Sequence, residues 1–214
     1  AENYRFHDHE KLAFYANAAT DIEFKMPFGF KEVEGIHSRT NYDLSQHEKF
    51  SGRSIKYFDP QTNESYTPYD IETSIGVDRM FLSVMCHSYK EEKLDNGETR
   101  VVLLLPPALA PVKLAVLPLV RKDGLPEKAR EIVNELKFKF NTHYDEKDTI
   151  GKRYRRQDAI GTPYCVTVDY DTLKDNTVTL RFRDTMEQER VSIDALDGII
   201  EDKVSITSLL KKLQ

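Results

Sequence analysis

The stretch DIETSIGVDR at 70–79 places two carboxylates, Asp70 and Glu72, and a hydroxyl, Ser74, at alternate positions. Gly76 and Arg79 follow, and then the apolar run MFLSVM. On a strand over Tyr69–Ile75, side chains alternate across the sheet. Asp70, Glu72 and Ser74 then share one face, and Ile71 and Ile75 the other. Gly76 permits a close backbone approach. Arg79 stands where strand turns into helix, where a planar cation suits an anion or an aromatic face. A second cluster lies at 152–156. Lys152, Arg153, Tyr154, Arg155 and Arg156 combine four cations with one aromatic ring, a set that serves phosphates and a stacked base. A solvated helix face beside Asp148 and Asp158 is the plainer alternative. Arg181 and Arg183 alternate on one strand and extend the basic set. Gly151-Lys152 lacks phosphate-loop spacing.

The elements that hold these residues follow from periodicity. Val77, Phe81, Val84 and Ser88 recur at helical spacing, so a helix runs from about Val77 to Tyr89. Asn3–Asn17 reads as a helix with Phe6, Leu12, Ala13 and Ala16 inward. Its His7 and His9 do not suggest a metal site: H-x-H splays on a helix, with no Cys or third His near. Ile22–Met26 and Lys31–Gly35 read as strands across a Pro27–Gly29 turn, and Ser51–Pro68 as an exposed hairpin or loop. Lys90–Arg100 is a charged linker with an Asn96-Gly97 turn. With the prolines at 106, 107 and 111 it marks a domain boundary, giving domains at 1–105 and 106–214. Beyond it lie a buried parallel strand at Val112–Leu119, a helix after Pro126 and a short strand near His143–Tyr144. A basic helix at Ile150–Ile160 follows, then strands at Tyr164–Val168, Thr177–Phe182 and Glu189–Ser192, and a closing helix at Ile199–Leu213. This order makes a mixed sheet with helices on its faces.

Of the 214 residues, 39% are hydrophobic and 31% charged, with a net charge of -5. That is ordinary for a water-soluble globular chain and excludes one that coats nucleic acid indiscriminately. No apolar run reaches membrane-spanning length, and no secretory signal pattern opens the chain. Cys86 and Cys165 lack CxxC spacing and read as free thiols of a cytoplasmic protein.

Strand–Gly–x–x–Arg–helix resembles motif 3 of class II aminoacyl-tRNA synthetases, and Glu72-Thr73-Ser74-Ile75-Gly76-Val77-Asp78-Arg79 resembles its glycyl form, with the motif at 70–89. FKEVEGIHSRTNYDLSQH is similar to the family's aromatic–x–Glu–φ–x–Gly–φ–x–x–Arg segment, which runs beside motif 3. It departs at Phe30, where Trp is common, and at His37-Ser38, where Ala-Asp is common. APVKLAVLPL, IGKRYRRQDAIGTPYCVTVD and DNTVTLRFRDTMEQERV resemble the anticodon-binding domain shared by glycyl, histidyl, prolyl and threonyl synthetases.

The resemblance implies a fold of α/β and α+β parts: a remnant of the class II antiparallel-sheet catalytic domain, then a mixed-sheet α/β anticodon-binding domain. It implies ATP-dependent activation of glycine and transfer to tRNA-Gly by a cytoplasmic homodimer, with Mg2+ accompanying ATP. Arg79 takes the ATP-binding, catalytic role, with pairing to Asp78 or another neighbour as the alternative. Glu72 and Ser74 line the glycine pocket, and Glu72 meets either the ammonium or Mg2+. Glu32 belongs to the same acidic pocket or is a surface carboxylate. Lys152, Arg153, Tyr154, Arg155, Arg156, Arg181 and Arg183 face tRNA. No motif 1 or motif 2 is found, so the chain reads as the C-terminal portion of a longer enzyme and by itself is expected not to activate glycine. A non-catalytic accessory protein of the same ancestry is the alternative; it is expected to lose Arg79 and the acidic pocket, which are present.

Overall fold

The computed structural model describes residues 2–212. The chain divides into two compact units, one up to His87 and one from Ser88 onward. In the first, β1 (Tyr4–Asp8), β2 (Ala18–Met26), β3 (Gly29–Ser38) and β6 (Ile71–Ile75) form an antiparallel sheet in the order β1-β2-β3-β6. Between β3 and β6 lie α1 (Tyr42–Ser51) and a hairpin of β4 (Tyr57–Asp59) and β5 (Glu64–Tyr66). Helix α2 (Val77–Ser88) follows β6 directly, as the spacing of its apolar residues predicts. Ile22, Phe24, Met26 and Val33 pack together on one face of the sheet with Cys86.

The N-terminal helix expected over Asn3–Asn17 is not there. Tyr4–Asp8 is an edge strand paired antiparallel to β2, Arg5 opposite Glu23 and His7 opposite Asp21. The period that matters is two: Arg5, His7 and His9 alternate with Tyr4, Phe6 and Asp8. Arg5 and the two imidazoles thereby meet two carboxylates on the neighbouring strand, and Phe6, expected inward, is exposed. Helix α1 has no counterpart among the expected elements, and none of its residues is buried.

The second unit holds a five-stranded mixed sheet. Its order is β10 (Thr142–Tyr144), β9 (Leu114–Pro118), β11 (Tyr164–Val168), β12 (Thr177–Phe182) and β13 (Gln188–Ser192). β9 runs parallel to β10 and β11; β12 and β13 are antiparallel additions. Alternation on the central strands sorts two layers. Leu114, Val116, Val166, Val168, Val178 and Leu180 join Leu125, Ala129, Ile132 and Leu136 of α3 (Leu125–Leu136) and Leu196 and Ile200 of α6 (Ile193–Val204). Ala115, Leu117 and Cys165 face the other way, toward Ile150 and Tyr154 of α4 (Ile150–Ile160). Each fully buried Leu or Ile in these layers contributes about 1.5–3 kcal/mol. Burial also pushes the Cys165 thiol up to about 12, so it is an inert core group.

A short α5 (Thr172–Asp175) precedes β12. The closing helix is two helices. α6 starts at Ile193, where Ser192 accepts from the Asp194 backbone N–H, and α7 (Ile206–Lys211) starts after Ser205, which accepts from Ser208. The expected end at Leu213 lies outside the described residues. Among those residues no helix is long and apolar enough to cross a membrane.

The stretch that reads as a charged linker is instead a hairpin. β7 (Tyr89–Lys93) and β8 (Thr99–Leu103) pair across the Asn96-Gly97 turn and group with the second unit. The compact units therefore divide before the hairpin, whereas the prolines at 106–111 follow it. Val102, Leu103 and Leu105 are buried. Gly161, at φ +83 after α4, comes so close that an added Cβ would stand 3.1 Å from the Leu103 carbonyl oxygen.

Candidate functional site

In the first unit, register collects one polar face on the sheet. Gly35 of β3 lies opposite Asp21 and Ser74, His37 opposite Glu72, and Glu32 opposite Glu23. Residues directly opposite share a face, so Asp21, Glu23, Glu32, His37, Glu72 and Ser74 are gathered around a glycine. A Cβ at Gly35 would come 3.3 Å from His37 Nε2 and 3.5 Å from Asp21 Oδ1. Asp70 continues the pairing beyond β6: its N–H donates to the Thr40 carbonyl, and its carbonyl accepts from Arg39.

Charged contacts order this face. Arg39 Nη1 donates to Glu72 Oε2 at 2.8 Å, its Nε to Asp43, and its guanidinium lies 4.4 Å from the Tyr15 ring centre. The hydrogen bond from Arg39 holds Asp43 below the usual carboxylate range. Glu72 thus keeps one carboxylate oxygen engaged and, among the described residues, one without a hydrogen-bond partner. Asp21 and Glu23 are buried; His9 Nε2 meets Asp21 Oδ2 at 2.8 Å, and Arg5 donates to Glu23. The Arg5 hydrogen bond holds Glu23 below its ordinary range. Arg79 Nη1 donates to the Glu32 carbonyl and to Glu32 Oε2, each at 3.0 Å. Its partner is therefore Glu32, not Asp78. Both side chains are about half exposed, so the pair is worth about 1 kcal/mol or less and is readily exchanged for another anion. Phe28, Phe30, Met26 and Leu82 share with them a cavity of about 350 Å³. Ser74 is exposed.

Asp21 and Glu23 belong to this face without having been expected there, whereas Arg39 ends the segment expected to run beside motif 3. The acids at 21 and 23 alternate with Ile22, Phe24 and Met26, a period-two signal present in the sequence. The particular pairing of Arg39 with Glu72, 33 residues away, is not legible from the spacing.

In the second unit the basic cluster separates into internal ties and surface groups. Arg153 is 2% exposed, and its guanidinium donates to the carbonyls of Pro118 and Leu119. Arg181 donates through two nitrogens to the fully buried Asp158, at 2.8 and 3.0 Å. Arg183 donates to the carbonyls of Gly161 and Leu105, both at 2.7 Å. These three, expected among the tRNA-facing cations, have their side chains turned inward. The structure makes them buried ties, because α4 and β8 cover that side of the sheet. Arg100 of β8 joins them, 1% exposed, donating to Asp158, Glu92 and the Arg183 carbonyl. Arg156 is held at the surface by Asp145 and Asp148. Tyr154 is mostly buried, its hydroxyl on Thr167 and its ring 4.7 Å from the Arg181 guanidinium carbon. Lys152 is exposed and Arg155 half-buried, 3.8 Å from Asp158. With Thr149, Gly151, Tyr154, Arg181, Met186, Gln188 and Glu98 they line a cavity of about 450 Å³.

Acid sensitivity follows from the surrounding carboxylates. Burial pushes Asp169 up, but two hydrogen bonds from Arg190 and two from Thr172 outweigh it and hold the group below its ordinary range. At Asp145 burial likewise pushes up, and the Lys147 N–H and Arg156 outweigh it and hold the group below its ordinary range. A lowered native pKa stabilises the fold above the unfolded value, about 3.9, and the contribution fades as pH falls through the native value. Urea unfolding of Asp169→Asn measured from pH 6 to pH 2.5 is expected to show a shallower acid loss than the parent. An identical slope would exclude this pair as a source of it.

Residues 113–203 match the family model of the anticodon binding domain, so the second unit contains such a domain. The chain as a whole is homologous to glycine–tRNA ligases. It is 53% identical to that of Borrelia hermsii over 208 residues, covering 95% of this chain and 47% of the relative. It is 54% identical to that of Clostridium tetani over 205 residues, 95% of this chain and 44% of the relative. It is 56% identical to that of Treponema denticola over 203 residues, 92% and 45% respectively. The chain thus spans a little under half the length of the relatives it matches, and the family resemblance read from its motifs is borne out.

Proposed function

We propose that this chain supplies the closing strand and helix of the catalytic sheet, and the anticodon-binding unit, of a glycine–tRNA ligase acting as a cytoplasmic homodimer. In the complete protein the glycine carboxylate attacks the α-phosphorus of ATP, releasing pyrophosphate, and glycine then passes to the terminal ribose of tRNA-Gly. The observation that supports the reading is a polar sheet face bearing Glu72 and Ser74, with Arg79 paired to Glu32 of β3, in a chain homologous to these ligases. The free carboxylate oxygen of Glu72, oriented by Arg39, and the Ser74 hydroxyl receive the ammonium. A substrate without a side chain is selected by walls that leave no room for a β-carbon. Arg79 exchanges Glu32 for a phosphate oxygen of ATP and neutralises developing charge. Mg2+ arrives with the ATP phosphates, as it commonly does where a site offers one or two carboxylates.

In the full-length protein, Arg79→Ala is expected to lower glycine-dependent ATP–pyrophosphate exchange by about 10²-fold or more. The 214-residue chain alone is expected to support none, since no stretch of it resembles motif 2. Undiminished exchange in the variant would remove Arg79 from the mechanism, and exchange by the chain alone would overturn the division of labour.

A further inference from the structure

We infer that the β7–β8 hairpin completes a nucleobase pocket in the second unit, and that Glu98 at its tip selects a base carrying an exocyclic amino group. The inference rests on the proposed binding of tRNA by this unit and names what one anticodon nucleotide would meet there. The hairpin lies outside residues 113–203, the span that matches the anticodon binding domain, so the pocket joins that domain to an added element. Arg100 fixes the hairpin by its buried bonds to Asp158 and to the Arg183 carbonyl. The tip is fixed in turn: the Glu98 N–H donates to Asn96 Oδ1, and its carbonyl accepts from Leu94.

This places a carboxylate on the same cavity as Lys152, Arg155 and the Arg181–Tyr154 pair. The cavity, about 450 Å³, is within the size range of small-ligand sites and so has room for one nucleotide. Its charges are of opposite sign and divided between elements. Lys152 and Arg155 on α4 suit the phosphates. Met186, at the turn between β12 and β13, offers an apolar surface for a ring face. An ionised carboxylate only accepts hydrogen bonds. Facing a base edge, it favours the amino group of cytosine or adenine and leaves uracil, with a carbonyl there, unpaired and repelled.

The test is equilibrium binding of the full chain to transcribed glycine tRNA and to versions with each amino-bearing anticodon base replaced in turn by uracil. For the parent, one replacement is expected to weaken binding by roughly tenfold or more. Glu98→Ala is expected to bind the intact tRNA and that version within about twofold of each other, with an unchanged unfolding midpoint because Glu98 is exposed. Retained tenfold discrimination in Glu98→Ala overturns the role of Glu98 while tRNA binding stands. If the parent binds glycine tRNA no better than an unrelated RNA hairpin, the underlying tRNA-binding reading fails, and the pocket with it.

Discussion

Asp158→Ala is expected to destabilise the second unit by about 3–5 kcal/mol, several times the cost of losing an exposed ion pair. Asp158 is completely buried at the point where α4, β12 and β8 meet. It accepts two hydrogen bonds from Arg181 and one from Arg100, and both guanidiniums are themselves nearly inaccessible. Two cations in so dry a site are tolerable only while an anion stands between them. Removing it leaves uncompensated buried charge, and neither arginine can neutralise itself by losing a proton. The readout is hydrogen exchange at the β11 and β12 amides with urea unfolding of the full chain. A change below about 1 kcal/mol would mean that water reaches the cluster and that the hairpin is not anchored through it.

Lys152→Glu together with Arg155→Glu is expected to lower the affinity of the full chain for glycine tRNA by at least tenfold. The salt dependence of log K should become shallower by about 1.4, the contribution of two single-strand phosphate contacts. These are the cations of α4 that line the cavity. Arg153 and Arg156 are committed to backbone carbonyls and to Asp145 and Asp148. Arg156→Glu should therefore act mainly on stability, and Lys174→Glu, at a remote surface pair with Asp171, should leave binding unchanged. Affinity and salt slope unchanged by the double reversal would take the RNA off this face of α4.

The same buried arginines show where sequence reading succeeds and stops. α4, β11 and β12 are legible to the residue because Gly161 closes the helix and the strands carry unbroken apolar or alternating patterns. What stays hidden is which cations of KRYRR face inward, since that depends on Asp158 and on a hairpin more than fifty residues earlier. Lys90–Arg100 reads as solvent-exposed because charge normally is; Arg100 is buried only because three acceptors meet it there. In the first unit the Glu72–Ser74–Arg79 spacing is local and legible. Asn3–Asn17 reads as helix because Phe6, Leu12, Ala13 and Ala16 serve as inward positions, while the deciding contacts, Arg5 with Glu23 and His9 with Asp21, lie across the sheet.

The most direct test of a working anticodon domain is equilibrium binding of this chain to glycine tRNA, beside a tRNA with altered anticodon bases, at two salt concentrations. The prediction is a preference for the intact anticodon that persists at the higher salt while overall affinity falls. Equal binding to both tRNAs, lost together as salt rises, would reduce the basic helix to a charged surface and contradict the proposed function of the second unit.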